Sequence, residues 1–131
     1  MKIILADDQP EVCSALRLLL EQRTGQVPVS EASDIQNLLA QAHSLHPDLV
    51  LLDWELPGLP QVKRPAEPRP PGEVVAMLRS LVPEVKVVAL SGRPEARKQA
   101  LAAEVDGFVS KSDPPEQLLA ILEELGLRHV R

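Results

Sequence analysis

The feature that most constrains this chain is the repeated alternation of short apolar runs with longer amphipathic segments. The apolar runs lack the polar alternation of a half-buried strand, which is typical of strands buried on both faces. The predicted strands are Lys2–Ala6, Val27–Ala32, Asp48–Asp53, Lys86–Leu90 and Gly107–Ser110. An amphipathic, helix-like segment follows each strand, so the chain consists of five strand-then-helix units.

The helix-like segments carry recognisable start and stop signals. The first four predicted helices are Glu11–Arg23, Ser33–Leu45, Glu73–Leu81 and Pro94–Glu104. The last helix is predicted to start with Asp113 as its cap, Pro114 at the first position and Glu116 completing a capping box. It is expected to end near Leu125, before Gly126.

This order of elements predicts an α/β fold. Strands that are apolar on both faces imply a parallel sheet covered by helices. Because crossovers are right-handed, few topologies remain, and 2-1-3-4-5 is the usual strand order for five such units. We expect a doubly wound, flavodoxin-like five-stranded parallel sheet with helices on both faces, formed by residues 1–131 as a single domain.

Composition excludes several classes of protein. Hydrophobic residues make up 44% and charged residues 25% of the chain, so a packed core is expected. A formal net charge of -5 argues against direct binding of nucleic acid or an anionic membrane. Ile3–Ala6 is too short for a signal peptide's apolar region, and no run approaches the ~18 apolar residues of a membrane span. We expect a cytoplasmic protein.

One segment interrupts the alternation. Six of the thirteen prolines fall between Pro57 and Pro71. Such a stretch predicts an extended loop, since proline suits neither a helix interior nor a central strand. We interpret residues 59–71 as a proline-rich insertion, either a tolerated surface loop or a segment that docks a partner.

Polar side chains follow four of the predicted strands. Asp7 and Asp8 come after the first strand and Asp53 stands at the end of the third, while Ser91 follows the fourth and Lys111 the fifth. In a doubly wound sheet these positions meet at one edge. Clustered carboxylates need a cation, and an all-oxygen set suits Mg²⁺. Each residue alone fits a turn or a helix cap, but the joint pattern indicates a cradle for Mg²⁺ and a phosphoryl group.

Four segments resemble the receiver domain of two-component response regulators. They are ILADDQPEV, LVLLDWELPG, VVALSG and GFVSKSDPPEQLL, and the resemblance extends over essentially the whole chain. It implies that Asp53 accepts a phosphoryl group from a sensor histidine kinase or a phosphotransfer protein. It also implies that Asp7, Asp8, Asp53 and the backbone carbonyl of Glu55 hold Mg²⁺.

The resemblance assigns the remaining site residues to a switch. Ser91 is the switch hydroxyl, Lys111 pairs with the phosphoryl group, and Phe108 is an aromatic side chain that turns inward on activation. For Phe108, plain core packing is the alternative. Ser112 departs from the family, in which proline often follows the lysine.

Several alternatives stay open from the sequence. The chain could be a degenerate receiver that docks a partner without being phosphorylated, or a Mg²⁺-dependent phosphohydrolase with an aspartyl nucleophile. The leading hypothesis is a signalling protein that catalyses only its own phosphorylation and dephosphorylation. Its end at Arg131 is expected to mark either a stand-alone receiver or a piece of a longer regulator with an output domain, and homodimer formation is left open.

Overall fold

The strands form one parallel sheet. The computed structural model describes residues 2–24, 29–56 and 71–126. Within these residues the strands are β1 (Ile3–Ala6), β2 (Val29–Ala32), β3 (Leu49–Asp53), β4 (Lys86–Ser91) and β5 (Gly107–Ser110). They pair in the order β2-β1-β3-β4-β5, and every pair is parallel. The predicted fold class and strand order are confirmed.

Helices cover both faces of the sheet. They are α1 (Pro10–Thr24), α2 (Ile35–Leu45), α3 (Pro71–Leu81), α4 (Ala96–Ala102) and α5 (Pro115–Glu124). Successive strand side chains point to opposite faces, so the sheet separates two apolar cores. Ile4 lies in the core beneath α2, α3 and α4, whereas Ile3 and Leu5 lie in the core beneath α1 and α5.

The register of the sheet sets where the strands end. Asp53 is paired with Leu90, and Ser91 is paired with Ser110. Asp7 continues the hydrogen bonding between β1 and β2, because its N–H donates to the carbonyl of Ala32 at 3.0 Å. The predicted site residues therefore leave the sheet on the same side, at the carboxyl ends of β1, β3, β4 and β5.

The predicted start of the last helix is wrong. Pro114 is the N-cap, with φ -65 and ψ 155, and Pro115 is the first helical residue. A residue that precedes proline is disfavoured in the helical region, so Pro115 forces Pro114 to be extended. Asp113 does not cap the helix, and its Oδ2 instead accepts a hydrogen bond from the Ser110 N–H at 3.1 Å.

Helices α3 and α4 also differ from expectation. Pro71, which the sequence grouped with the insertion, begins α3. The rest of the predicted proline-rich loop lies outside the described residues, and its conformation stays a prediction. Helix α4 is shorter than the predicted Pro94–Glu104, because it ends before Glu104 adopts a left-handed φ of 65. Within the residues that the structure describes, none of the helices has the length and apolar character needed to cross a bilayer.

Candidate functional site

Three carboxylates meet at the edge of the sheet. One carboxylate oxygen from each of Asp7, Asp8 and Asp53 lies within 4.8 Å of the other two. Asp7 and Asp53 are each 3% exposed, whereas Asp8 is open to solvent. Strand ends hold the two buried carboxylates, and each accepts one backbone hydrogen bond at 2.9 Å, Asp7 from Gln9 and Asp53 from Glu55.

The Lys111 ammonium bridges the two buried carboxylates. Its Nζ lies 2.9 Å from Asp7 Oδ2 and 3.4 Å from Asp53 Oδ2, and it donates to Gln9 Oε1 at 2.9 Å. Burial disfavours the charged lysine, but the two carboxylates outweigh that effect and raise the pKa of Lys111. The lysine therefore remains a cation beside Asp53.

Burial makes Asp53 an unusually basic carboxylate. Loss of hydration raises the pKa of Asp53 to about 6, although the hydrogen bond from the Glu55 N–H and the Lys111 charge pull in the opposite direction. The nearby Asp7 charge adds to the increase. A buried, poorly solvated carboxylate is a stronger nucleophile than a hydrated one, provided that it is deprotonated.

Ser91 lies beside the cluster but is bonded elsewhere. This fully buried residue donates its hydroxyl proton to Glu55 Oε2 at 2.8 Å. The same glutamate oxygen accepts from Arg93 Nε at 3.1 Å. The sequence placed Ser91 after β4, whereas it is the last residue of that strand. Its backbone is paired in the sheet with Ser110, so a change of hydrogen-bond partner begins at its side chain.

The aromatic residues of the site are packed rather than exposed. Phe108 on β5 is 8% exposed, and the Arg97 guanidinium of α4 lies 5.8 Å from the centre of its ring. Trp54 follows Asp53, is 4% exposed, and donates through Nε1 to Gln99 Oε1 at 3.3 Å. Phe108 thus has the inward, core-packed position, and its role as a switch stays a prediction.

The donor set fits Mg²⁺. The clustered donors are carboxylate oxygens, which this hard cation prefers. Asp7 Oδ2 is buried and faces the Lys111 ammonium, whose Nζ lies 2.9 Å away. The charge of this ammonium offsets only part of the negative charge of the three clustered carboxylates, and a divalent cation would offset the rest. The backbone carbonyl of Glu55 stays a predicted ligand.

Sequence reasoning missed two contacts at this site. Gln9 was not singled out, yet it accepts from Lys111 and its N–H supports Asp7. Its position directly after the acidic pair, at the start of α1, was the available signal. The side chain of Glu55 was assigned no partner, but it accepts a hydrogen bond from the Ser91 hydroxyl.

Within the described residues every peptide bond is trans, including that between Lys111 and Ser112.

Comparison with known protein families gives a match over nearly the whole chain. The family described as "Response regulator receiver domain" matches residues 3–123. Transcriptional activator protein ExaE of Pseudomonas putida is 30% identical over 131 residues, which cover 98% of this chain and 56% of ExaE. Nitrate/nitrite response regulator protein NarL of Escherichia coli K12 is 32% identical over 124 residues, covering 93% of this chain and 53% of NarL. The chain spans about half the length of the curated relatives that it matches.

Solved structures share the fold. A two-component response regulator of the LuxR family from Aurantimonas sp. SI85-9A1 superposes with a TM-score of 0.76 at 26% identity, covering 98% of this chain and 88% of the other. A CheY-like receiver domain protein from Methanospirillum hungatei JF-1 gives a TM-score of 0.74 at 23% identity, covering 95% and 91%.

Proposed function

This chain belongs to the response regulator receiver domain family, and from that premise we propose that Asp53 accepts a phosphoryl group in a Mg²⁺-dependent reaction. The donor is a phosphohistidine on a sensor histidine kinase or a phosphotransfer protein. The observation that carries the proposal is the buried Asp53 carboxylate, held between the Lys111 ammonium at 3.4 Å and the acidic pair Asp7–Asp8.

The proposed step is a displacement at phosphorus. A carboxylate oxygen of Asp53 forms a bond to phosphorus, the bond from phosphorus to the donor's imidazole nitrogen breaks, and its electron pair stays on that nitrogen. Lys111 supports the step because its ammonium already faces Asp53 and Asp7, where charge on the phosphoryl oxygens would develop.

Asp7, Asp8 and Asp53 would hold Mg²⁺, with the backbone carbonyl of Glu55 as the fourth proposed protein ligand. When bound, the cation neutralises charge on the phosphoryl oxygens and on the carboxylates. The excess negative charge of the three carboxylates over the Lys111 ammonium supports this assignment. Exposed Asp8 would then face the solvent side from which a hydrated ion arrives.

A phosphoryl group on Asp53 gives the Ser91 hydroxyl a new acceptor. Movement of the Ser91 side chain and of the chain after β4 would change the space around Phe108, whose ring already packs inward, and so would alter the contact between that ring and Arg97. The affected surface comprises α4, β5 and α5. We propose that a downstream protein, or an output domain such as the remainder of a longer regulator, reads this surface. Homodimer formation and the cytoplasmic location expected from the sequence stay predictions.

Intact mass spectrometry tests the phosphoryl acceptor. The protein is incubated with acetyl phosphate, with and without Mg²⁺, beside the Asp53→Asn variant. We expect one added phosphoryl group, only with Mg²⁺ and only in the unchanged protein. A mass increase that persists in Asp53→Asn would assign the modification to another residue.

Two control outcomes separate the alternatives. No mass increase in the unchanged protein, despite a folded state, would favour a degenerate receiver that acts as an unphosphorylated docking module. Steady hydrolysis of a phosphate monoester would instead favour a phosphohydrolase. Lys111→Ala is expected to impair signalling output more than Lys2→Ala, which removes an exposed lysine at the opposite end of the sheet, because Lys111 contacts the carboxylates and Lys2 does not.

A further inference from the structure

The hydroxyl of Ser91 already has an acceptor in the structure. It donates to Glu55 Oε2 at 2.8 Å, while its oxygen accepts from the Arg93 N–H at 3.0 Å. A contact of 3.5 Å to the Arg93 carbonyl is longer and weaker. A serine hydroxyl has one proton to donate. Ser91 therefore cannot donate to a group on Asp53 while it donates to Glu55.

Arg93 fixes the orientation of the glutamate. Arg93 Nε donates to the same Glu55 Oε2 at 3.1 Å, and the two side chains are 49% and 38% exposed. An exposed ion pair of this kind adds little stability by itself. Here it holds a carboxylate whose other contact is a fully buried hydroxyl, so its effect falls on the position of Ser91.

We propose that Glu55 is a positioning residue that holds the Ser91 hydroxyl away from Asp53, and that Arg93 orients Glu55 for this purpose. The proposal rests on the proposed function and adds a residue that opposes the switch. On phosphorylation, the hydrogen bond from Ser91 to Glu55 breaks and one from Ser91 to a phosphoryl oxygen forms. No covalent bond of either residue changes.

The Glu55 side chain acts in two separable ways. It competes for the Ser91 proton, and its negative charge repels an anionic group on Asp53, two residues away. Glu55→Ala removes both effects, whereas Glu55→Gln keeps a carbonyl acceptor for Ser91 and removes only the charge. Competition for the proton therefore predicts a larger effect for Glu55→Ala than for Glu55→Gln.

The experiment measures binding of beryllofluoride, a stable substitute for the phosphoryl group, to the full chain with saturating Mg²⁺. Titration calorimetry gives the dissociation constant, and fluorescence of Trp54, the only tryptophan, gives a second readout beside Asp53. We expect Glu55→Ala to tighten binding about tenfold, because the hydrogen bond from Ser91 to Glu55 no longer has to break when the anion binds. Arg93→Ala should tighten binding less.

The Ser91→Ala background isolates the hydrogen bond. There, Glu55→Ala should change affinity by much less than tenfold, since no hydroxyl remains to be released. Glu95→Ala is the matched control, because Glu95 is 69% exposed and also pairs with Arg93, at 3.8 Å, and it should leave binding unchanged.

Each result decides the proposal. Equal tightening by Glu55→Ala in both backgrounds would show that Glu55 acts through charge alone, and no tightening at all would show that it does not hold Ser91. Either result overturns the positioning role while the phosphoryl site stands. If the unchanged, folded protein does not bind beryllofluoride, the proposed function itself fails and this role falls with it.

Discussion

Replacement of Asp53 by asparagine is expected to stabilise the metal-free protein at neutral pH. The folded state raises the pKa of Asp53 from 3.8 to about 6, chiefly because burial removes water from the carboxylate. A shift of this size means that ionising the buried carboxylate lowers the free energy of unfolding by about 3 kcal/mol. In Asp53→Asn the new side chain carries no charge, while its amide oxygen can keep the hydrogen bond from the Glu55 N–H.

The sign of the pH dependence follows from proton binding. Between about pH 4 and pH 6 the folded protein holds the Asp53 proton more tightly than the unfolded chain does. Stability therefore falls as pH rises through this window, and the loss is complete above about pH 7. Asp53→Asn lacks this decline, so its advantage of about 2–3 kcal/mol at pH 7.5 should shrink toward zero near pH 4.

Urea unfolding in the presence of a chelator, followed by far-ultraviolet circular dichroism, measures the difference across this range. Urea leaves ionic strength unchanged, so the charges of the site are not screened during the titration. Asp8→Asn is the matched control, because it removes the same charge from an exposed member of the cluster and should give a smaller gain. Parallel stability curves for the unchanged protein and Asp53→Asn between pH 4 and pH 7 would refute the reasoning.

Three other properties follow from the structure. Millimolar Mg²⁺ should raise the melting temperature of the protein above its value in NaCl of equal ionic strength. Asp8→Asn should lose most of this increase, and a variant that keeps the full increase would show that Asp8 is not a ligand. Burial raises the pKa of Cys13 to about 11. Iodoacetamide at pH 8 should therefore alkylate Cys13 far more slowly in the native protein than in the urea-unfolded chain, and equal rates would contradict the burial of this thiol. A Cβ at Gly107 would lie 2.7 Å from Ile121 Cγ2 of α5, so Gly107→Ala should cost about 1–3 kcal/mol in urea unfolding. Gly92→Ala, where no atom lies within 4 Å, should cost much less, and an equal cost would argue against this packing.

The sequence alone determined the architecture and the neighbourhood of the site. Apolar runs that alternate with amphipathic segments leave a parallel sheet as the fold that buries them, and right-handed crossovers limit its strand order. Asp7, Asp53 and Lys111 each follow or end a strand, and parallel strands end on the same side. Their convergence was therefore predictable without knowing any contact distance.

Only the tertiary structure decided which side chains touch. Ser91 reaches Glu55 across 36 positions of the chain, and Lys111 reaches Gln9 across 102. Such pairs depend on sheet register and side-chain packing. The local periodicity of the sequence does not predict either of them. The high pKa of Asp53 is also a tertiary property, because desolvation requires the complete fold around the carboxylate. Local signals were least reliable where two of them compete, as at α5, where the proline after Pro114 overrides the capping pattern and moves the helix start by one residue.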